Sequence, residues 1–319
     1  MEIIKPPVQP TLLHLIGNTP VVNILNEEYP DADVRLKLES FNPGGSIKDR
    51  IAYEIITDAE ERGVIHPGDE LVEATSGNTG IGIAWVGGLK GYKVTIITHD
   101  KISAEKLALL KFYGATVMIM PSDAPVGSDK HYVKVATEYA SFPGRFFCDQ
   151  FNNIANINAH YKNTAPELWL QGGHEADFII CGIGSGGTIS GIQKYFREQG
   201  STVKFIVADP IGSIYSSFFC EHNYVHQSWQ VEGIGSDFIP GFLKKEVADD
   251  LISVSDSEAF ETCNFIRHKY SINIGLSTGT AVSAAINILK KNASLRIMII
   301  SPDSGERYLS KLNNFKGIK

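Results

Sequence analysis

Residues 40–50 read Ser-Phe-Asn-Pro-Gly-Gly-Ser-Ile-Lys-Asp-Arg, and their flanks decide the fold. Before them, Val34-Arg35-Leu36-Lys37-Leu38-Glu39 alternates as a half-buried strand does. After them, Ile47, Ile51 and Ile55 recur at helical spacing with Ala52, Ile56 and Ala59, and Gly63 supplies the stop. A strand therefore enters a helix through a Pro-Gly-Gly turn, with Lys48 in the helix's first turn. The positive end of a helix dipole disfavours a cation, so this placement predicts a lysine of depressed pKa. An uncharged amine is what a lysine needs to attack a carbonyl. Taken alone, the segment reads more readily as a surface lysine on an amphipathic helix.

The same alternation of strand and helix continues along the chain. Strands are predicted over residues 71–74, 94–98, 116–120, 145–148, 177–181, 203–208 and 296–300. Helices are predicted over 78–90, 103–113, 132–139, from the glycine loop at 182–188 to Gly200, and over 257–269 and 280–291. Strands separated by helix-length segments make parallel sheets covered on both faces, the α/β class. Ligands of such sheets sit in the loops after the strands.

The 319 residues suffice for about two domains, and 43% hydrophobic with 20% charged residues is a globular mixture. A net charge of −7 argues against nucleic-acid or anionic-membrane partners. Cys148, Cys181, Cys220 and Cys263 form no metal-binding spacing, which leaves free thiols of a reducing compartment and no metal site. The first residues lack a signal-peptide core and no apolar run reaches membrane-spanning length, so a cytoplasmic protein is expected.

Three loops combine glycines with hydroxyls. Thr75-Ser76-Gly77-Asn78-Thr79-Gly80 opens a helix, where free N–H groups and hydroxyls can hold a carboxylate or a phosphate. Gly182-Ile183-Gly184-Ser185-Gly186-Gly187-Thr188 follows a strand and concentrates enough donors for one phosphate monoester. It also contains GxGxxG, with Asp209 ending the next strand, which allows a rival reading as an NAD-dependent oxidoreductase. That fingerprint normally sits on the first strand of its unit, and this copy lies past mid-chain. No Walker-type lysine follows either loop, which excludes a P-loop. Gly275-Leu276-Ser277-Thr278-Gly279-Thr280 places a hydroxyl at a third helix start, where it can meet a ring nitrogen. One lysine, one monophosphate cradle and one carboxylate cradle are together what pyridoxal phosphate requires.

In Asn-Pro-Gly-Gly-Ser-Ile-Lys-Asp-Arg (42–50), Thr-Ser-Gly-Asn-Thr-Gly (75–80) and Gly-Ser-Gly-Gly-Thr (184–188), the sequence resembles the fold-type-II pyridoxal-phosphate enzymes. The likeness is to the cysteine synthase and cystathionine β-synthase family and covers nearly the whole chain. Val231 to Pro240, Asp209 to Ile214 and Ser301 to Ser304 resemble the β-synthase catalytic core, whereas Gly305 to Ser310 resembles the cysteine synthase ending. The resemblance implies two three-layer α/β/α domains with the cofactor between them. Residues 46–151 would form the smaller, mobile, substrate-binding domain, and residues 1–45 plus 152–319 the larger, cofactor-binding one.

The resemblance also implies site roles. Lys48 would hold the cofactor aldehyde and shuttle the α-proton, and Asn78 would bond its phenolic oxygen. Gly184, Ser185, Gly186, Gly187 and Thr188 would bind the phosphate, and Ser277 would face the pyridine nitrogen. Thr75, Ser76, Gly77 and Thr79, assisted by Gln150, would hold the substrate carboxylate, with Glu232, Gly233 and Asp237 shaping the rest of the substrate pocket. The expected reaction is β-replacement on serine or an activated serine, with homocysteine as the favoured acceptor. O-acetylserine with sulfide, and cysteine as a donor releasing hydrogen sulfide, remain open. A homodimer acting on small amino-acid and thiol substrates is implied. With no Cys-Pro-His segment and an ending near Lys319, neither haem nor an S-adenosylmethionine-binding regulatory pair is expected.

Overall fold

Ile297 and Ile299 on one face of a strand, and Met298 and Ile300 on the other, are all buried, so that strand carries a packed layer on both sides. A computed structural model describes residues 9–75, 77–220 and 227–314, and the strand lies in the interior of the larger of two sheets. In chain order the strands are β1 (Val21–Ile24), β2 (Asp33–Leu38), β3 (Glu70–Ala74), β4 (Lys93–His99), β5 (Thr116–Met120), β6 (Arg145–Phe147), β7 (Phe178–Cys181), β8 (Lys204–Pro210), β9 (Asp250–Val254) and β10 (Arg296–Ser301). They form a six-stranded sheet, β1-β2-β10-β7-β8-β9, and a four-stranded sheet, β5-β4-β3-β6. Every pairing is parallel except that of β1 with β2.

The helices are α1 (Lys48–Glu61), α2 (Asn78–Leu89), α3 (Ala104–Phe112), α4 (Tyr132–Ala140), α5 (Ile154–Ala159), α6 (Ala165–Leu170), α7 (Gly187–Glu198), α8 (Tyr215–Cys220), α9 (Asp256–Tyr270), α10 (Leu276–Leu289) and α11 (Leu309–Asn314). On the large sheet, Ile297, Ile299 and Ile180 join a core built with α9 and α10, while Met298, Ile300, Ile179 and Cys181 join another built with α6 and α7. On the small sheet, Leu71, Val94 and Ile96 pack with α1 and α2, and Val72, Ala74 and Ile97 pack towards α4. Each predicted strand is present to within a residue or two. α10 begins at Leu276, four residues before the predicted start, so Ser277 lies inside its first turn.

A buried charge network anchors the start of α1. Arg50 donates from Nε and Nη2 to Glu39 at 2.6 and 2.9 Å, and from Nη1 and Nη2 to Glu167 at 2.8 Å each. Lys37 Nζ reaches Glu167 at 2.9 Å. Burial works to raise the Glu39 carboxyl, and Arg50, Lys37 and Thr19 together outweigh it and hold that group below the ordinary range. Glu167 is held down to about 2 against the same burial by its bonds to Arg50. Gly44 N donates to Asp49 Oδ2 at 2.6 Å and fixes the preceding turn. Gly82 of α2 allows the close approach that follows: a Cβ there would lie 2.8 Å from the Lys48 carbonyl oxygen. Removing one member of a buried ion pair leaves the other charge unpaired, at a cost of about 3–5 kcal/mol. Arg50→Met is therefore expected to lower unfolding free energy by that amount in urea titration; an unchanged midpoint would show the network to be incidental.

Candidate active site

The carboxyl ends of the parallel strands open on a cleft of about 790 Å³ between the two sheets. Lys48, Thr75, Asn78, Thr79, Gln150, Gly184, Ser185, Gly186, Thr188, Glu232, Gly233, Asp237 and Ser277 all line it. Gly187 stands directly behind this surface, where a Cβ would lie 2.0 Å from Asn156 Oδ1. Gly77, at φ +148°, packs on the aliphatic part of Lys106. Ser76 lies outside the described residues. One cleft thus collects residues drawn from positions 48 to 277.

Lys48 is half-buried at the start of α1. Loss of water around its ammonium, only partly opposed by the charges of Asp303 and Glu39, brings its pKa from 10.5 down to about 8. The direction is the one predicted from the sequence. Dehydration, not the helix end, is the leading cause. Ile47 N donates to Pro302 O at 2.8 Å, which stitches the lysine's turn to the segment after β10.

Asn78, at the start of α2, is held from both sides. Its Nδ2 donates to Asp303 Oδ2 at 2.6 Å, and its Oδ1 accepts from Arg307 Nη1 at 2.7 Å. Its amide is oriented, and one N–H is left over. Asp303 Oδ2 also accepts from Tyr308 Oη at 2.5 Å, and Arg307 Nη2 donates to the Gly44 carbonyl. This cluster ties the lysine turn, α2 and the 302–308 segment together.

The carboxylate cradle is similarly prearranged. Thr79 Oγ1 donates to Gln150 Oε1 at 2.6 Å, and Gln150 Nε2 donates to Ala74 O at 3.0 Å. Thr75 Oγ1 accepts from Gly77 N at 3.1 Å, so its own proton is available.

At residues 184–188 the chain must be bare backbone. A Cβ on Gly184 would lie 2.5 Å from Gly233 O, and Gly186 sits at φ +89° with Leu243 2.9 Å from the position of its Cβ. The N–H groups of a helix's first turn have no intrahelical acceptor, and Thr188 and Ile189 of the first turn of α7 line the cleft. Ser185 Oγ accepts from Asn156 Nδ2 at 2.9 Å, which frees its proton for a ligand. Thr188 Oγ1 lies 3.2 Å from Nε2 of His160, an imidazole that burial keeps neutral. A monophosphate dianion is the ligand such a donor set accommodates. These residues fit pyridoxal phosphate: an amine, a phosphate cradle, an oriented amide and, at Ser277, a buried hydroxyl on the cleft wall.

Glu232 forms ion pairs with Lys106 Nζ at 2.9 Å and Lys311 Nζ at 2.5 Å, and Lys106 also lies 4.3 Å over the Tyr308 ring. Asp237, five residues on, is exposed and lines the same cleft. Asp209, the acid required by the dinucleotide reading, is fully buried and raised to about 7 by that burial, away from the cleft lining. Sequence reasoning passed over Asp303 and Arg307 as bonding partners of Asn78, and it passed over His99, His131 and Tyr132 on the cleft wall. These histidines follow no motif, and only the packing of β4 and α4 brings them together. The charged Lys-Asp-Arg run at 48–50, just after a predicted turn, was the available signal for the anchor of α1.

The model of the family described as pyridoxal-phosphate dependent enzymes matches residues 12–303. Cystathionine beta-synthase of Apis mellifera is 38% identical over 309 residues, 95% of this chain and 61% of that protein. Cystathionine beta-synthase of Saccharomyces cerevisiae is 36% identical over 324 residues, 97% of this chain and 64% of that one. This chain thus spans under two thirds of the length of these relatives. Among solved structures, O-ureido-L-serine synthase superposes with a TM-score of 0.88 at 33% identity, covering 98% of this chain and 97% of that one. O-acetylserine dependent cystathionine beta-synthase from Helicobacter pylori gives 0.88 at 32% identity, covering 96% and 99%. A family match over most of the chain, relatives above 30% identity and a cleft whose donors fit the cofactor agree: this chain is a member of the pyridoxal-phosphate dependent enzyme family, with the fold-type-II architecture.

Proposed function

We propose that the chain catalyses β-replacement on L-serine or an activated serine, and that its reaction is serine plus homocysteine to cystathionine plus water. The observation that carries this reading is the water-poor Lys48 amine sharing one cleft with Gly184, Ser185, Gly186 and Thr188, with Thr75, Asn78 and Thr79, and with Ser277. Pyridoxal phosphate bound there would supply an electron sink for bonds broken at the substrate's α-carbon.

Lys48 Nζ would hold the cofactor covalently, residues 184–188 its phosphate, and Asn78, through its remaining N–H, its phenolic oxygen. Thr75, Thr79 and Gln150, with Ser76 and Gly77, would orient the substrate carboxylate. Lys48 Nζ, displaced by the substrate's amine, would take the α-proton and return it to the departing hydroxyl, so that water and not hydroxide leaves. Ser277 offers the ring nitrogen a neutral hydroxyl, too weak an acid to charge it. The sink is then a modest one, and expulsion of the β-substituent is favoured over transamination.

Residues 46–151 would act as a unit that closes on 1–45 plus 152–319 and excludes water during the chemistry. The Lys106–Glu232 pair joins those two parts across the cleft, which supports such a closure. Gly233 and Asp237 would then bound the acceptor side. A cytoplasmic homodimer completes the proposal.

A second reading takes O-acetylserine as donor. It is favoured by the likeness, over nearly the full length of both chains, to an O-acetylserine dependent cystathionine beta-synthase and to O-ureido-L-serine synthase. Acetate leaves without protonation, so Lys48 would have less to do in that reaction. Sulfide as the acceptor, or cysteine as the donor, belongs to the same scheme.

A crossed assay of serine, O-acetylserine and cysteine against homocysteine and sulfide separates these readings. Serine with homocysteine is expected to give the highest kcat/KM; turnover confined to O-acetylserine would establish the second reading, and no product from any pair would overturn both. The Lys48 amine provides an independent check. Acetic anhydride labelling of the apoprotein, read by mass spectrometry, is expected to speed up with pH and level off near 8, since the folded amine is mostly neutral above that value. An inflection near 10.5 would mark an ordinary solvated lysine.

A further inference from the structure

Where Lys48 serves the donor's proton, the acceptor's thiol proton still needs a destination, and the cleft wall opposite Asp237 offers one. His131 immediately precedes α4 and makes no side-chain capping bond to it, is 5% exposed and lines the cleft. Its ring lies 4.9 Å from the Tyr132 ring and 6.3 Å, edge to face, from that of Phe238, the neighbour of Asp237. Phe238 in turn packs at 4.9 Å on Phe151, which follows Gln150 of the carboxylate cradle. His99, at the carboxyl end of β4, meets Tyr132 edge-on at 5.5 Å, and its Nδ1 is buried without a hydrogen-bond partner. A group of imidazoles and one phenol therefore stands between the carboxylate cradle and Asp237, on the acceptor side of the cleft.

We infer that His131 is the base that accepts the acceptor's thiol proton, with Asp237 facing it as the countercharge and His99 and Tyr132 fixing the wall on which it sits. The inference rests on the β-replacement reading above. The S–H bond gives its proton to an imidazole nitrogen of His131 while the sulfur forms its bond to the donor's β-carbon. The imidazolium, opposite the Asp237 carboxylate, then releases that proton to water at the cleft mouth, and one proton from water returns through Lys48 Nζ to the α-carbon. Protons balance, and no oxidant or reductant is needed. Burial lowers the pKa of His131, with the Asp237 charge opposing, so its imidazole is neutral and able to accept. Burial also lowers His99, which faces Glu232 and Asp237 across the cleft and Lys101 and Asp100 beside it.

A free alkyl thiol of cysteine type has a pKa near 8.5 and is mostly protonated at neutral pH. A positioned base is worth about 10²–10⁴-fold in such a transfer. His131→Asn keeps a polar side chain and removes the base. In the cofactor-loaded enzyme, the absorbance change on adding L-serine alone is expected to stay within about twofold of wild type, since Lys48 governs that half-reaction. The acceptor's kcat/KM at pH 7 is expected to fall about 100-fold. The deficit should shrink as pH passes the thiol's own pKa of about 8.5, where thiolate forms unaided, and imidazole added to the buffer should restore part of the loss. Asp237→Asn, on an exposed side chain, is expected to show the same acceptor-limited, pH-dependent pattern to a smaller degree. Equal losses in both half-reactions, or an acceptor deficit independent of pH in both variants, would overturn the inference, as would wild-type acceptor kinetics in His131→Asn. If wild-type enzyme gives no absorbance change with serine, O-acetylserine or cysteine, the β-replacement reading itself fails; a normal wild-type response beside an unaltered variant sinks only the role of His131.

Discussion

The interaction on which the rest of the molecule depends is the buried pairing of Arg50 with Glu39 and Glu167. It comes two residues after Lys48 and pins the first turn of α1, so the amine is delivered to a fixed place. Charges this deeply buried contribute little net stability over well-packed apolar residues. Their value lies in geometry: a bidentate guanidinium accepts only a narrow range of positions for its carboxylates. Gly82 supplies the matching constraint from α2, through an approach to the Lys48 backbone that a side chain would block.

Dehydration links that anchor to chemistry. The structure that buries the Arg50 network also removes water from Lys48, and the nearby Asp303 and Glu39 charges keep the shift from going further. Asp303 is itself engaged by Asn78 and Tyr308, and Arg307 holds both Asn78 and the Gly44 carbonyl. One polar cluster therefore sets the position of the lysine, the orientation of the amide and the course of the chain after β10. Disturbing any member should be felt at the others, because neighbours in one network are not additive.

Much of this was legible in the sequence. The Lys48 turn, the 75–80 and 184–188 loops and the alternation of strands with helices depend on local signals: glycine where no Cβ fits, hydroxyls at helix starts, and periodicity. The edge strands β1 and β9 were missed, as were α5 and α6, which run together through a π-helical turn at His160–Thr164. Non-local pairings were not legible either. Nothing near Glu39 in the sequence announces Glu167, and nothing near Asn78 announces Arg307, since those partners meet only when the sheets are assembled. Glu232, which the family resemblance sets in the substrate pocket, lines the cleft, and its pairing with Lys106 and Lys311 is announced by nothing near it in the sequence. The start of α10 was placed at Thr280, within a stretch read as a helix start, whereas Leu276, Ser277, Thr278 and Gly279 are already buried helix.

The central claim is that the dehydrated amine at position 48 carries the cofactor. Borohydride reduction of the purified, cofactor-loaded protein, followed by proteolysis and mass spectrometry of the labelled peptide, tests it most directly. The account predicts a yellow chromophore lost on reduction and a pyridoxyl adduct on the peptide containing Lys48. An adduct on another lysine, with Lys48 unmodified, would contradict it.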